Sequence, residues 1–218
     1  MSKTAIILGA TGLTGSILTQ YLLEDPRYEK IKLFSRSKIN IQHGKLEEHL
    51  IDVLLLENHA DVFTGDEVFC CIGTTKAKTP NQNLYHKIDY GIPVAAAKLC
   101  KANKINTFIV VSAIGSDSNS SIFYNRTKGE MEDSIIALNI HKTHILQPSL
   151  IGGKRNEKRI GESATKLLMK ILNPFFIGAL RKYRTIEPET IATAMLWLAN
   201  HSYDKQKIIS DKIKELIS

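Results

Sequence analysis

The stretch that decides the fold is TAIILGATGLTG, residues Thr4–Gly15. Its first half, Thr4–Leu8, is a compact apolar run typical of a buried strand, and glycines follow it at once. The stretch Leu13–Glu24 then has apolar residues at helical spacing and ends before a proline. A strand that enters a helix through glycines presents bare backbone N–H groups and the positive end of a helix dipole to an anion. The pattern therefore predicts a diphosphate site at this turn.

The rest of the chain alternates short apolar runs with longer amphipathic stretches, which is typical of βαβ units. We predict further strands over Ile31–Phe34, His49–Val53, Glu67–Ile72, Thr107–Ser112 and Thr143–Gln147. We predict helices over Leu84–Asn103, Phe123–Leu138 and Pro188–Asn200, and a short strand and helix over Lys207–Ser210 and Asp211–Ile217. Six strands with intervening helices predict a Rossmann-type α/β fold, a doubly wound parallel sheet in three α/β/α layers.

The composition is that of an ordinary globular protein. The chain has 218 residues, 43% hydrophobic and 23% charged, which suits one domain with a proper core. We predict a single domain over residues 1–218, in which 149–187 and the C-terminal helix form a small substrate-side lobe. No apolar run approaches the roughly 20 residues of a membrane-spanning helix. The start of the chain has no signal-peptide pattern and the three cysteines fit no metal spacing, so we expect a cytoplasmic protein without a metal.

The positive charge is concentrated in one segment. Between Lys154 and Arg184 the sequence has nine basic and two acidic residues, a net charge equal to the +7 of the whole chain. Such a segment favours an anionic partner or substrate, whereas the ordinary explanation is a solvated surface that keeps the protein soluble. No nucleic-acid motif accompanies the charge, so we expect no nucleic-acid partner. We expect a small-molecule substrate, an anionic one if this segment contacts it, and a monomer or a homodimer.

The glycine turn has the spacing G-x-x-G-x-x-G, and we expect all of it to contact a dinucleotide: Gly9, Thr11, Gly12, Leu13, Thr14 and Gly15. NAD-binding folds place an acid about 20 residues further on, at the end of the second strand. This sequence has Ser35 and then Arg36 there. An arginine can bind a 2′-phosphate through two parallel hydrogen bonds, so we favour NADP over NAD as the cofactor. The ordinary explanation for Arg36 is a solvated surface charge.

Other strand ends are expected to face the same dinucleotide, because ligands of open α/β sheets lie over the carboxyl ends of the strands. Asp52, at the end of the third predicted strand, would accept a hydrogen bond from the adenine amino group or cap the strand. The remaining candidates lie at the end of the fourth strand and directly after the fourth and sixth strands: Cys71, Ile72, Gly73, Thr74 and Pro148.

The candidate catalytic group is Tyr124, near the start of a predicted helix, with Lys128 four residues later. Residues at this spacing share one helix face, so the ammonium should lie near the phenol. A nearby cation favours the phenolate, and we therefore expect a lowered Tyr124 pKa that suits acid–base work. Lys128 would also hydrogen-bond the nicotinamide ribose. Ser112, at the end of the fifth strand, would polarise a substrate carbonyl.

With its glycine turn and its Tyr-x-x-x-Lys pair, the chain resembles short-chain dehydrogenases/reductases of the atypical or extended kind. Four passages are similar to one subfamily, the HIV Tat-interacting protein type of oxidoreductase: Val68–Thr75, Tyr124–Glu130, the loop after Pro148 and Asp204–Leu216. The resemblance implies an NADP-binding fold, with Tyr124 and Lys128 as the reductase pair and Arg36 as the position that selects NADP. The chain departs from the family around Ser112, which Ala113 follows, and Ser116 is a rival for the catalytic serine.

Three functions are consistent with these residues. The first is an NADP-dependent reductase of a small carbonyl compound, with Tyr124 as its acid/base. The second is a non-catalytic NADP-binding regulator or sensor. The third is a sugar-nucleotide epimerase or dehydratase, which the short C-terminal part disfavours because about 70 residues follow Pro148.

Overall fold

The computed structural model describes residues 2–153 and 178–217. The described strands form one parallel sheet in the order β3-β2-β1-β4-β5-β6-β7. The strands are β1 Lys3–Leu8, β2 Tyr28–Ser35, β3 Leu46–Leu50, β4 Glu67–Cys70, β5 Thr107–Val111, β6 Lys142–Gln147 and β7 Lys207–Ile209. The α-helices are α1 Leu13–Glu24, α2 Gln82–His86, α3 Ile92–Ala102, α4 Phe123–Ala137, α5 Pro188–Asn200 and α6 Ser210–Glu215.

Shorter helical turns complete these elements. Val53–His59 and Gly178–Tyr183 are 3₁₀ helices, and a π-helical turn, Lys87–Gly91, joins α2 to α3. Residues 154–177, which include most of the basic segment and much of the predicted substrate-side lobe, lie outside the described residues. Within residues 2–153 and 178–217, no helix is both long and apolar enough to cross a lipid bilayer.

The hydrophobic core lies on both faces of the sheet. In β1, Ile6 and Leu8 face one side and Ala5 and Ile7 face the other, and all four side chains are fully buried. One face is covered by α1, α5 and α6, and the other by the first 3₁₀ helix, α3 and α4. Parallel strands covered on both faces have nearly continuous apolar sequences, and the central strands could be predicted from the sequence for this reason. The predicted three-layer Rossmann-type fold is confirmed.

The third strand is the one whose position differs most from the prediction. It spans Leu46–Leu50 rather than His49–Val53, and it pairs only with β2 at the edge of the sheet. Its residues are half-buried or exposed, so the strand contains charged residues and lacks the apolar signal of a central strand. Asp52 consequently lies beyond the strand, where its carboxylate accepts a hydrogen bond from the Leu54 N–H at 3.0 Å and caps the following 3₁₀ helix.

The order of the strands locates a ligand crevice. From β1 the chain continues outward to β2 and β3, and it then crosses back so that β4 pairs with the other side of β1. In open α/β sheets such a reversal leaves a crevice at the carboxyl ends of the two strands that flank it. The glycine turn after β1 and the loop after β4 both lie at this point.

Candidate functional site

The turn after β1 requires glycine at two positions for steric reasons. Gly9 has a φ of +87°, and a Cβ there would lie 2.8 Å from the backbone carbonyl carbon of Cys71. A Cβ on Gly15 would lie 2.1 Å from the carbonyl oxygen of Gly9. These contacts let the first turn of α1 pack directly on the chain that leaves β1. The close approach of the end of β1, the start of α1 and the chain after β4 therefore depends on Gly9 and Gly15.

The start of α1 has the features of an anion site. Gly12 is the N-cap and supplies no side-chain hydrogen bond to the helix, and the first turn contains no acidic residue. Thr11 is exposed, while Leu13 and Thr14 are partly or fully buried around the turn. The helix therefore presents backbone N–H groups and its positive dipole end to the crevice between β1 and β4. The residues of this turn fit a dinucleotide diphosphate.

At the end of β2 the two candidate residues have different environments. The Ser35 hydroxyl is buried and donates a hydrogen bond to the Ser37 carbonyl at 2.7 Å, so it stabilises the turn. Arg36 is exposed and forms no ion pair to any residue in the described ranges. Its guanidinium is available to a group bound beside this strand end.

The loop after β4 links the glycine turn to α2. The Cys71 N–H donates to the Leu8 carbonyl at 2.8 Å, which continues the pairing of β4 with β1 beyond its last residue. The Cys71 thiol lies 3.8 Å from the sulfur of Met195, and burial raises its pKa, so it is an inert packing group. Ile72 is half-buried and Gly73 is exposed at the crevice. The Thr74 N–H donates to the Asp89 carboxylate at 2.7 Å.

Asp89 is a site residue that the sequence did not single out. It lies in the π-helical turn between α2 and α3, is 1% exposed, and its carboxylate is 2.9 Å from the Lys128 ammonium. Such turns frequently mark functional positions in helices. The signal in the sequence was a lone acid on the apolar face of an otherwise buried helix, but its partner could not be inferred from spacing.

Lys128 and Tyr124 lie near each other on α4, as their spacing predicted. Burial alone lowers the pKa of Lys128, but the charges of Asp89 and Tyr124 outweigh it, so this pKa is above its ordinary value and the ammonium is stable. Burial also raises the pKa of Tyr124, the Lys128 charge lowers it, and Asp89 raises it again, so the net direction is upward. The lowered Tyr124 pKa predicted from the sequence is therefore wrong, because burial outweighs the Lys128 charge and Asp89 adds a smaller effect in the same direction as burial.

Ser112 and Ser116 are hydrogen-bonded to each other, with their oxygens 3.1 Å apart. Ser112 also donates a short hydrogen bond to Glu132, and Ser116 donates to the Ala113 carbonyl at 2.7 Å. Both hydroxyl protons are thus bound within the protein. Glu132, the second residue that the sequence did not single out, is fully buried and lies one turn beyond Lys128 on the same helix.

The segment that begins at Pro148 extends to the glycine turn. The Pro148 carbonyl accepts a hydrogen bond from the Ile114 N–H at 2.9 Å, which ties this segment to the loop after β5. Five residues later, a Cβ built on Gly153 would lie 3.3 Å from the side chain of Leu13. The structure therefore brings together residues from the ends of β1, β4, β5 and β6 around one crevice, while Asp52 stays at the outer edge.

A cavity of about 460 Å³ adjoins this crevice on the Tyr124 side. It lies between the loop after β4, the start of α2 and the start of α4. Tyr124 is 39% exposed and forms part of its wall. The exposed Tyr124 phenol thus forms part of the wall of a cavity of small-molecule size, and the buried Lys128 ammonium lies one helical turn further along α4.

The class of protein follows from these features and from comparison with known families. The sequence profile of the family described as NAD(P)H-binding matches residues 9–166, which is most of the chain. The chain belongs to this NAD(P)H-binding family, and its fold is that of NAD(P)-dependent oxidoreductases and epimerases.

Particular relatives agree with this assignment. Protein FMP52-1, mitochondrial, of Scheffersomyces stipitis is 34% identical over 183 residues, which are 82% of this chain and 76% of the relative. Protein HTATIP2 of Rattus norvegicus is 30% identical over 165 residues, 74% of this chain and 68% of the relative. This confirms the subfamily that the four sequence passages indicated. The crystal structure of Helicobacter pylori ADP-L-glycero-D-manno-heptose-6-epimerase superposes with a TM-score of 0.71 at 15% identity, covering 99% of this chain and 80% of the epimerase.

The relatives also correct the predicted location. We expected a cytoplasmic protein because the start of the chain lacks a signal-peptide pattern. The FMP52 proteins of Scheffersomyces stipitis, Debaryomyces hansenii and Candida glabrata, each 34% identical to this chain, are all named mitochondrial. The prediction of a plainly cytoplasmic protein is therefore wrong.

Proposed function

We propose that the chain is an NADP-dependent oxidoreductase that reduces a small carbonyl compound, with Tyr124 as the general acid. The observation that carries this proposal is the buried pair of Lys128 and Asp89 beside the exposed Tyr124 phenol, at the carboxyl edge of a sheet with a glycine turn. A bound nicotinamide dinucleotide would supply the hydride for the reduction. The glycine turn would hold its diphosphate, and Arg36 its 2′-phosphate.

The electrostatics of the site suit a proton donor. The Tyr124 phenol is protonated at neutral pH, so its hydroxyl can donate to a carbonyl oxygen as negative charge develops there. The Lys128 ammonium then stabilises the phenolate that remains. Asp89 holds this ammonium in position through its 2.9 Å contact and is in turn held by the Thr74 N–H.

The preference for NADP rests on the end of β2. The strand ends at Ser35, and the next residue is an exposed arginine rather than the acid that binds a ribose 2′-hydroxyl. Arg36→Ala should weaken NADPH binding about 10- to 100-fold, since hydrogen bonds to charged groups contribute about 1.5–3 kcal/mol. NADH binding should change little. An equal loss for both dinucleotides, measured by fluorescence titration, would contradict the assignment.

The catalytic role of Tyr124 is tested by Tyr124→Phe. We expect NADPH oxidation across a panel of carbonyl compounds to fall roughly 100-fold or more, because general acid catalysis contributes about that much. The NADPH affinity should stay nearly constant. Tyr90→Phe is the matched control, since the Tyr90 hydroxyl contacts Ser134 at 3.2 Å and takes no part in the cavity wall. Equal activity in both variants would refute the proposed acid.

The alternative is a non-catalytic NADP-binding regulator, and one observation favours it. The hydroxyl protons of Ser112 and Ser116 are both bound within the protein, so neither is free to polarise a substrate carbonyl. A wild-type chain that binds NADPH tightly but oxidises it with no carbonyl compound would support this alternative.

A further inference from the structure

One part of the wall of the cavity beside Tyr124 is a continuous aromatic and aliphatic surface. Tyr85 and Phe123 pack edge to face with ring centroids 5.5 Å apart, and Pro80 and Ile122 extend the same surface. A ligand body that covers this wall gains free energy in proportion to the apolar surface that it removes from water. The wall therefore selects for apolar molecules.

Three polar side chains, those of Tyr85, Thr74 and Thr79, form hydrogen bonds within the wall, and Thr75, Lys76 and Gln82 also line it. The Tyr85 hydroxyl donates to the Thr74 carbonyl at 3.3 Å, and the hydroxyls of Thr74 and Thr79 are 2.9 Å apart. Among the described lining residues, Lys76 is the only cation. A sugar nucleotide would need many free hydrogen-bonding partners and several charges for its diphosphate. This wall suits it poorly.

Ile122 is the clearest sign of a missing apolar partner. It is the N-cap of α4, a position where Ser, Thr, Asp or Asn is strongly preferred, and its side chain makes no capping hydrogen bond. Its side chain is also 59% exposed, so packing within the described protein does not explain it. An isoleucine that serves neither the helix nor the core is explained if it contacts a ligand.

We propose that the molecule bound in this cavity is an aldehyde or ketone with an apolar aliphatic or aromatic body, and not a sugar nucleotide. This inference rests on the proposed reductase function. The carbonyl carbon gains a hydride from the bound dinucleotide and the oxygen gains the Tyr124 proton, so that an alcohol forms. A bound nicotinamide dinucleotide would supply both electrons of this reduction as the hydride, and Tyr124 recovers its proton from solvent.

The first experiment compares carbonyl compounds of similar size with the full chain and saturating NADPH. We expect kcat/KM for hexanal and benzaldehyde to exceed that for glyceraldehyde at least tenfold, since each buried methylene contributes about a factor of four in affinity. Turnover that favours glyceraldehyde would overturn the inference and leave the proposed reductase in place, whereas epimerisation of UDP-glucose without net oxidation of NADPH would overturn both.

The second experiment uses Ile122→Ser, a variant designed to fold at least as well as the wild type because serine is a preferred N-cap. We expect a raised Tm together with a roughly tenfold higher KM for hexanal, as apolar contact with the substrate is lost. Leu84→Ser is the matched control, because Leu84 is also exposed, at 41%, on the neighbouring helix α2 but does not line the cavity. An unchanged KM in Ile122→Ser would overturn the inference.

A binding measurement separates failure of this inference from failure of the proposed function. Hexanamide is an unreactive mimic of the aldehyde, and calorimetry on the chain loaded with NADP should detect its binding and a weaker binding to Ile122→Ser. Binding of this kind without any turnover would support an apolar ligand and refute the reductase. If hexanamide fails to bind and hexanal is not reduced, both proposals are wrong.

Discussion

The ammonium of Lys128 lies 2.9 Å from the carboxylate of Asp89, and both side chains are almost completely buried. The pair connects α4 to the π-helical turn after α2, and the Thr74 N–H extends it to the loop after β4. Three segments that surround the crevice are thus joined through one ion pair. Tyr124 lies one helical turn before Lys128, so the charges of this pair act on the phenol in addition to the effect of its burial.

The first prediction concerns the stability of this pair. Lys128→Met should lower the free energy of unfolding by about 3–5 kcal/mol, because it leaves a buried carboxylate without its counterion. Asp89→Asn should cost a similar amount, while the double variant should cost less than the sum of the two. Urea unfolding of the three variants measures this coupling.

Lys98→Met is the control for that cycle. Lys98 pairs with Glu57 at 3.5 Å, but both side chains are more than half exposed, so its loss should cost less than about 1 kcal/mol. Equal effects of Lys98→Met and Lys128→Met would show that the buried pair has no special role.

The second prediction tests the glycine turn. Gly15→Ala should destabilise the protein by about 1–3 kcal/mol and abolish NADPH binding, because the new Cβ would lie 2.1 Å from the Gly9 carbonyl oxygen. Gly44→Ala is the matched control, since nothing lies within 4 Å of a Cβ at that position. Thermal unfolding and NADPH fluorescence titration distinguish them. Normal NADPH binding by Gly15→Ala would show that the dinucleotide does not bind at this turn.

The third prediction concerns the buried carboxylate of Glu132. It accepts hydrogen bonds from Ser112 and from the Gln147 amide at 2.9 and 3.0 Å, and it lies 2.9 Å from the Lys207 ammonium. Glu132→Gln should cost about 1–3 kcal/mol in unfolding free energy, because an amide N–H₂ would then face donors. Asp133→Asn should cost less than about 1 kcal/mol, since that side chain is exposed and lies 3.6 Å from the same ammonium.

The fourth prediction concerns pH and His144, which is 2% exposed. Its Nδ1 donates to the Lys205 carbonyl at 3.0 Å, while its Nε2 is buried without a hydrogen-bond partner among the described residues. Burial, with a smaller contribution from Lys142, lowers the pKa of His144 below its ordinary 6.5. Between pH 6.5 and this lowered pKa the unfolded chain therefore binds a proton that the folded chain does not.

The free energy of unfolding should accordingly decrease as the pH falls below 6.5. His144→Asn, which keeps an N–H donor but cannot titrate, should show a smaller decrease in urea unfolding measured between pH 7 and pH 5. His43→Asn, at an exposed position, should behave as the wild type does. Parallel curves for wild type and His144→Asn would rule out His144 as the source of the pH dependence.

The sequence by itself determined the features that depend on neighbouring residues. The order of β1, glycine turn and α1 was predictable because the steric need for glycine and the helical periodicity are both local. The common face of Tyr124 and Lys128 follows from helix geometry alone. The bounds of α5, Pro188–Asn200, were also predicted correctly, since proline at the first turn and a clear apolar period mark them.

Only the tertiary structure decided which charges meet. Asp89 of the π-helical turn contacts Lys128 of α4. Glu132 of α4 contacts Ser112, which follows β5, and Lys207 of β7, and these two strands lie on opposite sides of β6. No sequence spacing encodes these pairs. The same holds for the pKa of Tyr124: the sequence predicted that Lys128 lowers it, but burial in the folded protein raises it, and Asp89 of the π-helical turn adds to that increase. Local geometry determines which residues share a helix face, whereas the electrostatic state of a group depends on every charge that folding brings near it.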